Sequence, residues 1–278
     1  MTAPVCPLPL ERLLVCTDGS PASQGAVAGA LDLARVCGSQ LFFLQILEYQ
    51  TGLTGLAPEA ELEWDREAAA YLEELQSEAE RLGIRSEALI RRGAQVYAVI
   101  VEEARHLKAD LIVMGRHGKR GLTKLLVGSV TERVIGLSPV SVLVFPQEWP
   151  LPWERVLVAS DGSPYSQVAW EAALEQARRL GTRLLGLSVA REEGELPGAE
   201  AVVGSMLSEA NRQGIPLEVR VSVGAPDDVI VRTAWATQAD LIILGSHGLT
   251  GWKRLLMGST TARVLGSARC PVLVVKRE

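Results

Sequence analysis

The stretch Ala109-Asp-Leu-Ile-Val-Met-Gly-Arg-His-Gly118 returns later as Ala239-Asp-Leu-Ile-Ile-Leu-Gly-Ser-His-Gly248. A short apolar run that ends in glycines suits a strand buried on both faces and closed by a tight loop. Working outward, Arg12 to Pro21 (RLLVCTDGSP) returns as Arg155 to Pro164 (RVLVASDGSP), and Leu125 to Val134 (LLVGSVTERV) as Leu255 to Val264 (LLMGSTTARV). Three echoes in one order divide the 278 residues into two copies of one unit. The boundary falls in a proline-rich segment, Pro146 to Glu154, since proline extends neither a helix nor a sheet interior. This gives units at 1–147 and 154–278 joined by a linker at 148–153.

Within a copy, strand and helix signals alternate. In the first, Leu13 to Cys16 reads as a strand, and a helix starts near Pro21, capped by Ser20 or Asp18 and stopped by Gly38. A strand at Leu41 to Leu47, a helix at Ala57 to Leu82 and a strand at Arg85 to Ile90 follow. A helix at Val96 to Leu107, the strand Leu111 to Met114, a helix from Ser129 and a strand at Val140 to Phe145 complete the copy. Alternation of this kind implies an α/β fold: two tandem doubly wound, Rossmann-like domains, each with a five-stranded parallel sheet flanked by helices. Ligands of such sheets bind beyond the carboxyl ends of the strands, here just after Cys16 and Met114.

Composition narrows the function classes. Apolar residues make up 47% of the chain, too many for a disordered segment, and the net charge of −5 is spread without a basic block. Neither a nucleic-acid partner nor a membrane surface is indicated. Met1 to Pro9 has three prolines and no cationic stretch before an apolar one, so it does not read as a signal peptide, and a cytoplasmic location is expected. Cys6, Cys16, Cys37 and Cys270 lack CxxC or metal-ligand spacing and are expected to be free thiols, with Cys16 a small buried hydrophobe.

The chemistry gathers at the glycines. Gly115 and Gly118 are followed, after nine residues, by Gly128-Ser129 at a helix start; Gly245, Gly248 and Gly258-Ser259 repeat the spacing. Glycine lets the backbone approach a phosphate, and a helix N-terminus adds unpaired N–H groups and a positive dipole end. Ser129 and Thr131, like Ser259 and Thr261, would add hydroxyl donors. The alternative is that the glycines only form tight turns. Asp18 and Asp161, at the ends of the first strands, suit ribose hydroxyls, or equally an N-cap or Asx turn into Gly19 or Gly162. His117 and His247 read better as neutral rings bonded to the loop backbone than as general bases, and His106 as solvated. With no GxxxxGK(S/T) sequence there is no standard machinery for rapid phosphoryl transfer.

On these motifs, GxxG, nine residues, then G(S/T), twice intact and each downstream of Asp-Gly-Ser, the chain resembles a tandem universal stress protein of the ATP-binding type. The resemblance implies ATP, with ADP or AMP as alternatives, and Mg²⁺ held mainly through phosphates rather than side chains. It places Thr17, Asp18, the backbone of Ile46, Gly115, Gly118, Gly128, Ser129, Val130 and Thr131 around one nucleotide. Ser160, Asp161, Val189, Gly245, Gly248, Gly258, Ser259, Thr260 and Thr261 would surround the other. It further implies a non-enzymatic role in stress response through nucleotide-dependent conformation or partner binding. A slow ATPase or nucleotidyl-transfer enzyme and a non-binding scaffold are the alternatives. The last strands are expected to pair the halves as an intramolecular pseudo-dimer, with a homodimer of whole chains a further step. The copies differ: Asp18 to Gly115 spans 97 positions and Asp161 to Gly245 only 84, the excess lying mostly around Gln50 to Trp64. Arg116, Lys119 and Arg120 are expected to add charge to the first phosphate loop, where Ser246, Leu249 and Thr250 stand in the second.

Overall fold

The computed structural model describes residues 6–48, 58–118, 127–147, 153–248 and 257–276. Most of the Pro-rich linker, residues 50–57 of the longer insertion, and Lys119, Arg120, Leu249 and Thr250, of which a charge contrast is expected, lie outside the described residues. The first half runs β1 (Arg12–Cys16), α1 (Pro21–Cys37), β2 (Gln40–Glu48), α2 (Pro58–Arg81), β3 (Ser86–Gly93), α3 (Val96–His106), β4 (Leu111–Gly115), α4 (Ser129–Leu137) and β5 (Ser141–Phe145). The second runs β6 (Arg155–Ala159), α5 (Pro164–Leu180), β7 (Arg183–Ala190), α6 (Leu196–Arg212), β8 (Leu217–Val223), α7 (Pro226–Ala236), β9 (Leu241–Gly245), α8 (Ser259–Ser267) and β10 (Val272–Val275), with a single 3₁₀ turn before α6. The α/β alternation read from the sequence is present in both halves.

Rather than two separate sheets, the ten strands form one, in the order β3-β2-β1-β4-β5-β10-β9-β6-β7-β8. Pairing is parallel within each half, and β5 meets β10 antiparallel, with Val142 opposite Val274 and Val144 opposite Val272. Two apolar edge strands that would template aggregation if left open thus close on each other. This is the intramolecular pseudo-dimer that the last strands imply. The central strands are apolar on both faces because helices cover both; Leu13, Leu14 and Val15 are fully buried. One core cluster, with Leu13, Phe43, Leu143, Leu273 and Trp170, runs through both halves on one face, and another, with Leu14, Ile112, Val142 and Val274, on the other. Among the described residues no helix is long and apolar enough to cross a membrane.

One expectation fails outright. Cys6 and Cys37 are joined in a disulfide, so only Cys16 and Cys270 are free, both buried. The cause is topological: α1 runs back antiparallel to β1, which returns its last residue to the edge where β1 begins and Cys6 lies. Spacing motifs are blind to such a pair. Cys16 is the buried hydrophobe expected, its thiol pushed up to about 12 by burial.

Candidate functional site

β1 and β6 each run directly into an Asp-Gly-Ser turn. The Asp18 carboxylate accepts from the Ser20 N–H (3.0 Å) and hydroxyl (2.6 Å), and that of Asp161 from the Ser163 N–H (3.0 Å). The intervening Gly19 and Gly162 take φ of 73° and 76°, a left-handed conformation that glycine adopts without Cβ strain. The Asx turn weighed against the ribose role is therefore real at both positions. It engages Oδ1, while Oδ2 faces the second glycine of the GxxG loop. A Cβ on Gly118 would lie 2.7 Å from Asp18 Oδ2, and one on Gly248 2.6 Å from Asp161 Oδ2. Residues about a hundred positions apart in sequence meet at one sheet edge in each half. Ser163 caps α5 by accepting from the Ser166 N–H (3.2 Å), whereas Ser20 makes no such bond to α1 and donates to Asp18 instead.

Thr17 and Ser160 are buried, and their hydroxyls turn inward. Thr17 Oγ1 lies 2.9 Å from Ser23 Oγ and 3.2 Å from the Tyr71 hydroxyl, and Ser160 Oγ 2.9 Å from Ser166 Oγ. Their main chains extend the ladder, Thr17 N–H donating to Leu44 O (3.0 Å) and Ser160 N–H to Leu187 O (2.9 Å). Beyond these bonds β2 continues to Glu48 and β7 to Ala190 alongside β3 and β8 only. In a parallel strand the groups facing one neighbour recur every second residue. Ile46 and Val189, two positions past Leu44 and Leu187, therefore direct their backbone N–H and C=O past the ends of β1 and β6, where no strand lies. That open edge can accept and donate to a planar base.

The first glycine of each loop is a packing residue: a Cβ on Gly115 would sit 2.5 Å from Ala22 O, and one on Gly245 2.6 Å from Tyr165 O. Gly128 and Gly258 are the N-caps of α4 and α8 and provide no side chain to cap them. Their own N–H groups donate to Arg116 O (3.0 Å) and Ser246 O (2.9 Å). The N–H groups of Ser129, Val130 and Thr131, and of Ser259, Thr260 and Thr261, open helices in which the first turn has no intrahelical acceptor. Each trio forms an uncapped, positively polarised cradle at the carboxyl edge. The hydroxyl expectation fails for the two threonines. Ser129 and Ser259 are exposed, but Thr131 and Thr261 are buried and donate to Gly115 O (3.1 Å) and Gly245 O (3.0 Å). A β-branched residue one turn below the strand end is within reach of its carbonyl, so the hydroxyl fastens helix to strand and only the N–H remains for a ligand.

Arg116 also departs from expectation. Its guanidinium leaves the loop and donates to Gly266 O (3.1 Å) and Ala268 O in the second half. His117 carries a buried Nε2 without a partner among the described residues, and burial together with the Arg116 charge pushes its pKa down, so the ring is neutral near pH 7. His247 bonds through Nδ1 to Ser246 Oγ (3.1 Å) rather than to backbone, and its ring packs 5.0 Å from that of Tyr165. Ser246 is 1% exposed, so this pair presents no nucleophile to solvent. His106 is exposed, as expected.

Residues that the sequence reading passed over shape the mouths. In the second half a cavity of about 330 Å³ is lined by Ser259, Thr260, Arg263, Arg191 and the Gly224–Asp227 turn. Arg263 pairs with Asp227 (3.6 Å). At the corresponding place in the first half, Arg133 lies over the Tyr97 ring at 5.0 Å. The available signal was the arginine four residues, one helical turn, beyond each Gly-Ser. Among the described residues no cluster of three or more His, Cys, Asp or Glu could hold a metal.

The sequence model described as the Universal stress protein family matches residues 9–146 and again 152–276. A universal stress protein of Synechocystis is 26% identical over 96% of this chain and 100% of its own length. One from Mycobacterium tuberculosis is 30% identical over 61% of this chain, a match that spans 63% of that protein. The crystal structure of a universal stress protein from Archaeoglobus fulgidus superposes with a TM-score of 0.79 at 27% identity, covering 96% of this chain and 98% of that one.

Proposed function

Because the chain belongs to the universal stress protein family, with one family domain in each half, we propose that it binds ATP at two sites, one at the carboxyl edge of each half, and uses occupancy to set its conformation or choice of partner. The observation that carries this reading is the pair of uncapped helix starts, Ser129–Thr131 and Ser259–Thr261, each aimed from a glycine N-cap beside an Asp–Gly apposition. Such N–H groups are paired by water, a side chain or a bound anion, and the glycine N-caps supply no side chain to them.

In this reading the loops and helix starts hold the phosphates. Asp18 and Asp161 receive the ribose hydroxyls, and the open backbone edges at Ile46 and Val189 receive the adenine. Mg²⁺ would be held by phosphate oxygens and water, a habit of that ion. Among the described residues neither half brings a general base to the cradle, since the Nε2 atoms of His117 and His247 are buried, and the Arg116 guanidinium faces away from it. The reading is therefore of a binding protein rather than a catalyst, built from nucleotide-binding units at 1–147 and 154–278.

The test is to denature purified protein, identify released nucleotide by mass spectrometry, and titrate the stripped protein with ATP, ADP and AMP in a calorimeter. Uptake of two adenine nucleotides per chain is expected. Absence of both carried nucleotide and measurable affinity refutes the proposal and favours a scaffold; multiple turnovers with Mg²⁺ refute the non-enzymatic part.

A further inference from the structure

We infer that Arg116 is a positioning residue through which the second half shapes the first glycine loop and couples the two nucleotide sites, an inference that rests on the proposed ATP reading. The residue belongs to both halves at once. Its main chain is built into the first site: the N–H donates to Phe145 O (3.0 Å), and the C=O accepts from the Gly128 N–H (3.0 Å) and from Thr131 Oγ1 (3.4 Å). Its side chain crosses the β5–β10 seam to Gly266 O and Ala268 O, at the last turn and C-cap of α8. The last carbonyls of a helix lack intrahelical donors and carry the negative end of the dipole, so a guanidinium there is held by charge as well as geometry. Burial lowers its pKa, in keeping with a cation taken out of water to make this contact.

At its other end, α8 begins with Gly258-Ser259, the cradle of the second site. The chain of contacts from Ser129 through Gly128, Arg116, Ala268 and α8 to Ser259 is thus continuous. It is also one-sided. The second loop has Ser246 where the first has Arg116. The reciprocal cap, on the C-terminal end of α4, comes from Lys276 Nζ to Gly136 O (3.0 Å), and Lys276 follows β10, outside either glycine loop. The two seam cations have like chemistry, but only Arg116 can transmit a change of loop shape, because only it is part of a loop.

The experiment uses the full chain, with the second site silenced by Asp161→Ala or the first by Asp18→Ala, and ATP titrated calorimetrically. Arg116→Met is expected to weaken the first site about tenfold and the second about threefold, with Arg116→Lys restoring part of each. Lys276→Met is expected to lower the denaturation midpoint while leaving both affinities within about twofold. The inference is overturned if Arg116→Met leaves either affinity within about twofold. It is equally overturned if Lys276→Met weakens the first site as much as Arg116→Met does, since the seam would then act only as glue. A parent protein that takes up no ATP refutes the nucleotide reading instead. The anchoring is then read by hydrogen exchange, where Arg116→Met should speed exchange at the amides of residues 116 and 128, and unchanged exchange there overturns it.

Discussion

Replacing Ser129 by proline deletes one backbone N–H from the first cradle and changes little else. Proline is tolerated at the first helical position because that N–H has no intrahelical acceptor and the fixed φ already suits a helix. The residue before a proline is forced out of the helical region, and Gly128 is already extended, at φ −61° and ψ 140°. Ser129 is exposed, so the ring meets solvent rather than core. Stability should therefore stay within about 0.5 kcal/mol, or rise slightly because the unfolded chain loses freedom. A hydrogen bond to a charged acceptor contributes about 1.5–3 kcal/mol, so ATP affinity at the first site should fall about 30-fold if 2 kcal/mol is lost. The assay is calorimetric titration in the Asp161→Ala background, paired with urea denaturation and with Ser129→Ala, which removes the hydroxyl and keeps the N–H. If Ser129→Pro folds with normal stability and binds ATP as the parent does, the helix start is not the phosphate cradle and the reasoning fails.

Gly118→Ala forces a Cβ to within 2.7 Å of Asp18 Oδ2, so the carboxylate must swing away; first-site affinity should fall about tenfold or more, while Gly181→Ala, at φ 67° and with nothing near it, should cost about 1–2 kcal/mol of stability and no affinity. Thr131→Val should cost about 1 kcal/mol in urea denaturation by leaving Gly115 O without its donor, yet change ATP affinity less than about twofold. Reduction of Cys6–Cys37, which closes a 31-residue separation, should lower unfolding free energy by about 3–4 kcal/mol on the chain-entropy account, visible as a lower urea midpoint in dithiothreitol or in Cys37→Ala. Because the folded state lowers the His117 pKa from 6.5, the unfolded chain takes up that proton more readily; stability should fall as pH drops below 6.5, and His117→Asn should remove that part of the slope.

Most of the fold was legible because its signals are local. Apolar runs such as Leu111–Met114, the proline at position 21 and the stop at Gly38 each depend on a few neighbouring residues, and the repeat supplied a second reading of every element. The boundaries moved by a few residues where packing, not propensity, sets the end of a strand, as when β3 extends to Gly93 alongside β2. The site was legible in outline for the same reason: Asp18, Gly118 and Gly128 fall at strand and helix ends, and a doubly wound topology gathers such ends at one edge.

By itself the sequence determined that there are two copies of one α/β unit, and where in each the glycines, the aspartate and the helix start must meet. Only the tertiary structure decided what the side chains do there. It turned Thr131 and Thr261 into struts, sent Arg116 across the seam to the end of α8 and joined Cys6 to Cys37. Backbone conformation follows from the nearest few residues, whereas the partner of a long or branched side chain depends on which distant segment is packed beside it, and that is fixed only when the whole sheet has formed.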